Sequence, residues 1–113
     1  MPTFEATLKT ALGALCSNRC YAVVNDSPTI TLPYVTFQVI ADQELLLTFP
    51  GRDWKRIQVD VWGKTYDEAK ALAALAETAV ETAFPASSKN MGFDGYEEVS
   101  REYRHTLDYY IWP

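Results

Sequence analysis

The side chains best suited to chemistry in this 113-residue sequence are one histidine and two cysteines. Hydrolytic triads nearly always use a histidine as the base that activates a nucleophile, and His105 is the single histidine of the chain. It sits in an alternating strand pattern, without a glycine-flanked serine or an activated cysteine pattern nearby. We therefore expect His105 to be a partly buried strand residue and not a catalytic base.

Cys16 and Cys20 lie four residues apart, near the predicted end of an N-terminal helix. A structural zinc site needs four ligands, and His105 belongs to a distant segment, so this spacing argues against a metal site. A disulfide is disfavoured in a reducing cytosol. The favoured interpretation is two buried or half-buried thiols that pack as small hydrophobic groups.

Two pairs of adjacent carboxylates, Asp67-Glu68 and Glu97-Glu98, have the chemistry for acid–base work or for binding a hard cation. The first pair lies where a helix is predicted to start, and acids there complement the helix dipole. The second lies at an exposed strand or turn edge. The sequence also has no phosphate-binding glycine loop, dinucleotide fingerprint or zinc-protease motif. It predicts no catalytic residue, no cofactor and no metal.

The segments that position these side chains alternate between helix and strand patterns. Apolar residues at three- and four-residue spacing predict a helix over about residues 3–17, with Thr3 as its N-cap. The β-prone segments predict strands at residues 20–24, 33–40 and 44–49, separated by loop chemistry at 25–28 and by turns at 41–43 and 50–53.

The central part of the chain gives the clearest patterns. Residues 54–62 alternate, which predicts a strand with Ile57, Val59 and Val61 on the core face. Thr65 and Glu68 match a capping box that starts a helix, and Pro85 stops it after Phe84. Its predicted apolar stripe, which we expect to lie on the sheet, is Ala69, Leu72, Leu75, Ala76, Ala79, Val80 and Ala83.

The C-terminal quarter is predicted to be a loop over residues 86–95 and then a long final strand over residues 97–111. Both alternating sets of this strand contain aromatic residues, so we expect one side of it to pack against another chain. The fold class that follows is α+β. A mostly antiparallel sheet is packed by the N-terminal and central helices in a single small domain over residues 1–113.

Composition excludes several classes of protein. Hydrophobic residues make up 48% and charged residues 22% of the chain, which is typical of a globular domain and not of a disordered one. The net charge of -5 and the absence of a basic cluster argue against a protein that clamps nucleic-acid phosphates. No apolar run reaches the roughly 20 residues of a membrane span, and no secretory signal is visible at the start, so we expect a cytosolic origin.

Three segments in order carry a resemblance to a known family. They are residues 33–37, "PYVTF"; residues 56–72, "RIQVDVWGKTYDEAKAL"; and residues 103–112, "YRHTLDYYIW". With the N-terminal helix before them, they resemble the phage tail-completion or tail-terminator proteins, long known only as a domain of unknown function. The likeness spans nearly the whole chain, and the strand-to-helix passage is its most specific part.

The resemblance implies a non-enzymatic virion protein of a long-tailed phage or a gene transfer agent. Such a subunit forms a ring with copies of itself, typically a hexamer, on the end of the tail tube. One surface binds the tube protein and stops its polymerisation, and the other meets the head-side connector, while DNA passes through the channel without specific binding. The chain would then reside in the host cytoplasm before assembly and in the tail or neck of the virion afterwards.

A ring closed by rotation needs two different patches on each subunit, and aromatic residues are favoured at such contacts. Aromatic residues form 13% of the chain, and we expect Trp54, Tyr110 and Trp112 to belong to interfaces, together with the segments around residues 42–53 and 87–95. Two alternatives stay open. One is a head-completion or neck connector protein, and the other is a small cytosolic enzyme or ligand-binding domain.

Overall fold

The computed structural model describes residues 4–15, 19–22, 31–44, 53–98 and 101–111, and it leaves aside the side chains of residues 41–44, 53 and 54. Two helices and five strands lie in these ranges. In chain order they are α1 (Phe4–Gly13), β1 (Cys20–Ala22), β2 (Tyr34–Glu44), β3 (Asp53–Gly63), α2 (Tyr66–Ala83), β4 (Ser87–Glu97) and β5 (Glu102–Ile111).

The strands form one sheet in the order β1-β2-β3-β5-β4. The pair β1–β2 is parallel, and the pairs β2–β3, β3–β5 and β4–β5 are antiparallel. Both helices pack on the same side of this sheet, through one continuous cluster of buried residues. The prediction of an α+β fold with a mostly antiparallel sheet and two helices is confirmed.

The alternation of β3 builds the centre of the core. Ile57, Val59 and Val61 are fully buried, as predicted. Ile57 and Val59 lie opposite Tyr109 and Leu107 of β5, so both strands send apolar side chains towards the helices. The helix side chains that pack in the same core are Leu8 and Leu12 of α1 and Leu72, Ala73, Ala76 and Val80 of α2.

Helix α2 starts at the predicted capping box. Thr65 Oγ1 accepts a hydrogen bond from the Glu68 amide at 3.1 Å. Glu68 Oε1 accepts from the amide of Lys64 at 2.8 Å, one residue before the cap, and not from the amide of Thr65 as the motif predicts. The helix ends at Phe84, whose amide donates to the Val80 carbonyl at 2.8 Å.

The predicted stripe of α2 is right except at Leu75, whose side chain is 54% exposed. Leu72, Ala76 and Val80 define the buried face. Leu75 is rotated by about 100° from Ala76 around the helix axis, which turns it towards solvent. The alanines on the buried side let the helix approach the sheet closely, as at Ala69, which lies against Gly63.

Two predicted irregular segments are strands in the structure. Ala41, Asp42 and Gln43, predicted as a turn, continue β2, which passes a register irregularity between Val39 and Ala41. The predicted loop at residues 86–95 is mostly β4, which pairs with β5 as a hairpin. The edge of the sheet on this side is therefore β4, and β5, predicted as the last strand of the sheet, lies inside it and begins at Glu102.

Several boundaries also differ. Helix α1 ends at Gly13, before the predicted residue 17. Strand β1 is described over Cys20–Ala22, and the predicted strand residues Val23 and Val24 lie outside the described residues. Glu44 and Asp53 belong to β2 and β3. The predicted cap Thr3, the strand residues 45–49 and the turn residues 50–52 lie outside the described residues, as does Cys16. Among the helices described, neither is long and apolar enough to cross a membrane.

Candidate functional site

The sheet has a helix-covered face and an opposite face, here called the open face, on which no described helix packs. Strand alternation assigns its residues, since cross-strand neighbours share a face. They are Tyr34, Thr36 and Gln38 of β2, Arg56, Gln58, Asp60 and Trp62 of β3, Arg104, Thr106, Asp108 and Tyr110 of β5, and Met91 and Phe93 of β4. This face is the candidate interaction surface.

The best-defined polar contact on the open face joins Arg56 to Asp108 across β3 and β5. Arg56 Nη2 donates to Asp108 Oδ2 at 2.7 Å, and Arg56 Nε donates to Oδ1 at 3.1 Å. Asn90 of β4 donates to Asp108 Oδ2 at 2.9 Å. Burial alone would raise the pKa of Asp108, but the hydrogen bonds from Arg56 and Asn90 outweigh it and hold the pKa below the usual value.

A second polar group lies beside it. The Asp60 carboxylate accepts a hydrogen bond from the side-chain amide of Gln58 at 2.9 Å and another from the Thr106 hydroxyl. Thr36 accepts from the indole of Trp62 at 3.2 Å. The polar residues of three strands thus satisfy one another, so this part of the open face is a fixed surface and not a set of independently moving side chains.

A row of flat side chains crosses four strands at one end of the open face. The rings of Tyr21 and Tyr34 lie 6.2 Å apart, and Tyr34 stacks on Trp62 at 5.7 Å. The Arg104 guanidinium lies over Trp62 at 5.5 Å. Gly95 on β4 leaves room for it, because a Cβ there would lie 3.0 Å from Arg104 Nη2. The row therefore continues across the sheet towards β4.

Two groups in this row have notable surroundings. Arg104 Nε is buried and has no hydrogen-bond partner among the described residues. Tyr34 donates to the buried Glu102 carboxylate at 3.3 Å. Burial and the nearby Glu102 charge raise the pKa of the Tyr34 hydroxyl, so it stays protonated and continues to donate.

Apolar side chains are exposed where the open face meets β4. Met91 and Phe93 lie opposite Asp108 and Thr106, and each is 48% exposed. Their strand is an edge strand whose outer side has no strand partner among the described residues. Large apolar side chains and an unpaired strand edge are both typical of surfaces that contact other chains.

His105 lies on the helix-covered face of β5, and it is buried, as predicted. Its Nδ1 lies 2.6 Å from Asp94 Oδ1, and Asp94 also accepts from the Tyr66 hydroxyl at 3.0 Å and lies 3.5 Å from Lys70. The hydrogen bond with His105 is the main reason why the pKa of Asp94 lies below its ordinary value. The contacts of Asp94 with Tyr66 and Lys70 connect β4 to α2, and its contact with His105 connects β4 to β5.

Beside this pair a cleft of about 330 Å³ separates α2 from β4. Of the described residues, Lys70, Ala73, Ala74, Glu77, Lys89 and Gly92 line it with His105. A triad needs a nucleophile within reach of the base, and these lining residues include no serine, threonine or cysteine. In the described structure, Asp94 links β4 to β5 through His105 and to α2 through Tyr66 and Lys70.

The predicted interface residues are only partly visible in the structure. Tyr110 is half-buried on the open face, with the Arg56 guanidinium 5.8 Å from its ring centre. Trp54 lies in β3, but its side chain and all of Trp112 lie outside the description. Of the two thiols, Cys20 is buried in β1, as the packing interpretation predicts. The sequence interpretation included Met91 and Phe93 in the candidate interface segment 87–95, although as part of a loop, and it did not single out Arg104 of β5.

Comparisons with known proteins show the family to which this chain belongs. The sequence matches the family model of "Tail completion protein gp17" over residues 5–112. The chain belongs to this family. It is a structural protein of the phage tail, located in the virion, and the resemblance inferred from the sequence is confirmed.

The fold agrees with this assignment. A chain from the solved "Virion of native gene transfer agent (GTA) particle" superimposes with a TM-score of 0.67, over 96% of this chain and 92% of that one. The two sequences are 15% identical, so this likeness shows the shared fold. No curated protein sequence matches the chain.

Proposed function

We propose that this tail completion protein is a tail terminator, which acts over residues 1–113 as one domain. Copies of the chain form a closed ring, a hexamer, on the end of the tail tube. The ring stops tube polymerisation and offers its other side to the head-side connector. The observation that carries the proposal is membership of the tail completion family over residues 5–112.

The shape of the subunit supports assembly into a ring. Copies related by rotation touch through two different patches, and the subunit has two different layers, a helix layer and an open sheet face. Met91 and Phe93 add apolar side chains to the open face, and Tyr110 lies on the same face. We keep Tyr110, Trp54 and Trp112 as proposed interface residues. Alanine at Trp54 or Tyr110 is expected to weaken ring formation.

The charge of the chain suits a channel. A net charge of -5 repels DNA phosphates, and Arg56, one of the described arginines on the open face, is paired with Asp108. DNA would therefore pass through the ring without binding to it.

The proposed role needs no catalysis, because stopping a polymer and bridging two rings are both consequences of surface shape. The His105–Asp94 pair is the feature closest to an enzyme site, and it lacks a nucleophile among the described residues that line its cleft. We therefore propose that the protein is not an enzyme and takes no cofactor.

The test is to delete the gene from its parent phage, prophage or gene transfer agent and to measure tail lengths by electron microscopy. Complementation with the intact gene is the control. Overlong tails without heads are expected, because length control is the property that a terminator provides.

Two other results would overturn the proposal in different ways. Tails of normal length beside unattached filled heads would assign the chain to the head side of the neck, as a connector or head-completion protein. Intact particles that deliver DNA normally would remove the structural role and reopen the question of an enzymatic or ligand-binding one.

A further inference from the structure

A fold of two layers leaves one face of its sheet without a helix, and here that face carries apolar side chains. Met91 and Phe93 are each 48% exposed on the open face. The polar groups beside them are already bonded to one another, as in the Arg56–Asp108–Asn90 contact. Exposed apolar residues beside polar groups that already satisfy one another can be covered by another chain without leaving those polar groups unpaired.

Arg104 supplies a charge to the same surface. Its guanidinium lies over the Trp62 ring at 5.5 Å, beside Gly95, and its buried Nε lacks a hydrogen-bond partner among the described residues. A guanidinium that is already oriented loses little conformational freedom when it binds a carboxylate. Arginine and tryptophan are also the residues that most often dominate binding energy at interfaces. The ligand that fits Arg104 is a carboxylate from another protein surface.

The helix layer of the subunit offers a matching surface. The outward side of α2, here called the ridge, consists of exposed residues: Asp67, Ala71, Ala74, Leu75, Thr78 and Glu81. Leu75 is the prominent apolar side chain of the ridge and is 54% exposed. The small side chains of Ala71 and Ala74 lie beside it. Asp67 and Glu81 place a carboxylate towards each end of the ridge.

The spacings on the two surfaces agree. Along the helix axis, Asp67 and Glu81 lie about 12 Å and about 9 Å from Leu75, at 1.5 Å per residue. On the sheet, Arg104 is one strand and two residues away from Phe93, which is about 8 Å. With Leu75 against Phe93, the end of the ridge that lies towards Arg104 carries a carboxylate in either direction of the helix, Asp67 in one and Glu81 in the other.

We propose that the open face of one copy packs against the ridge of the next copy, with Leu75 between Met91 and Phe93 and with Arg104 bonded to Asp67 or Glu81. The inference rests on the proposed ring of identical copies and names the contact that closes it. The helix layer and the open face are different surfaces of the subunit, so the contact is head-to-tail, and it forms a ring when the rotation between neighbouring copies closes.

The test is a pair of cysteines in one chain, Leu75→Cys with Phe93→Cys, expressed in place of the natural protein while particles assemble. Both positions are exposed, so the substitutions spare the core. The matched control is Leu75→Cys with Tyr96→Cys. Tyr96 is as exposed as Phe93, at 49%, but faces the helix side of β4, where it contacts Tyr103. The natural cysteines stay in every variant, and purified particles are oxidised and analysed without reductant.

The expected result is a ladder of covalent oligomers of this chain from Leu75→Cys with Phe93→Cys, and none from the control pair. Particles that contain the chain without a ladder would overturn the contact and leave the ring intact. A cross-link to a different protein would overturn the choice of a second copy as the occupant. Particles made with the unsubstituted chain that do not contain it would overturn the proposed function itself.

A charge exchange gives a second test that does not depend on oxidation. Leu75→Lys or Phe93→Glu alone is expected to lower the yield of particles with normal tails about tenfold or more, and the two together should restore it to within about threefold. Circular dichroism confirms that each variant is folded. Additive losses in the double variant would contradict a direct contact between the two positions.

Discussion

The buried carboxylate of Asp108 allows a sharp test of how the open face is built. It is 4% exposed and accepts hydrogen bonds from Nε and Nη2 of Arg56 and one from Asn90. Asp108→Asn keeps the shape of the side chain but removes its negative charge. It also places the amide NH2 of the new asparagine against an N–H group of Arg56 or Asn90, so that two donors face each other. Hydrogen bonds to charged groups contribute about 1.5–3 kcal/mol, whereas loss of a partner in a fully buried ion pair costs about 3–5 kcal/mol.

The Arg56 side chain is 36% exposed, so water can replace part of what the guanidinium loses. We therefore expect Asp108→Asn to lower the free energy of unfolding by about 1–3 kcal/mol at pH 7. At about 4 °C per kcal/mol for a chain of this size, the melting temperature falls by about 4–12 °C. Thermal unfolding followed by circular dichroism measures this, with the exposed Glu98→Gln as a control that changes stability by less than about 0.5 kcal/mol.

The pH dependence gives an independent check. The pKa of Asp108 is lower in the folded protein than in the unfolded chain, where it is about 3.9. Its ionised form therefore stabilises the fold above that value, and this contribution is lost as the pH falls through the folded pKa. The difference between wild type and Asp108→Asn should be largest at neutral pH and should shrink on acidification. Equal melting temperatures at pH 7, or a difference that stays constant into acid, would refute the reasoning.

Three further predictions concern the junction of β3 with α2 and the orientation of that helix. Gly63→Ala should cost about 1–3 kcal/mol, because the added Cβ would lie 2.8 Å from the Ala69 amide nitrogen and force α2 away from the sheet. An unchanged denaturation midpoint would contradict that contact. Thr65→Ala removes the cap of α2 and should cost about 0.5–2 kcal/mol, with Thr65→Ser as the variant that retains most of it. Leu72→Ala should cost about 2–5 kcal/mol and Leu75→Ala less than about 0.5 kcal/mol in urea unfolding, and a reversed order would mean that the helix is rotated.

The centre of the fold could be predicted because its local signals agree with its tertiary contacts. Residues 54–62 alternate, and the strand they form has a buried and an open face. The Thr65 cap and the stop at Phe84 lie where the sequence places them. Here the propensity, the pattern and the capping chemistry all specify the same element.

The edges of the sheet could not be predicted for an equally physical reason. Strand β4 is exposed on nearly all of its length, so no burial pattern marks it, and Gly92, Gly95 and Asn90 are typical of loops. Its pairing with β5 is a tertiary contact that the local sequence does not encode. Similarly, Asp42 and Gln43 favour a turn, but pairing with β3 extends β2 through them.

The same limit applies to the candidate interface. Aromatic content and the two-sided pattern of β5 predicted that some surface contacts another chain, and Tyr110 was placed on it. The exposure of Met91 and Phe93 follows only from the hairpin, and the orientation of Arg104 follows from Trp62 and Gly95 on neighbouring strands. A surface made from three strands is visible only once their register is known.

The most direct test of the central claim is a cryo-electron microscopy reconstruction of the neck of the parent particle, with the chain identified by its side-chain density. We expect a closed ring of this chain between the last ring of the tail tube and the head-side connector. Particles in which that position is occupied by another protein, or in which this chain is found elsewhere or not at all, would contradict it.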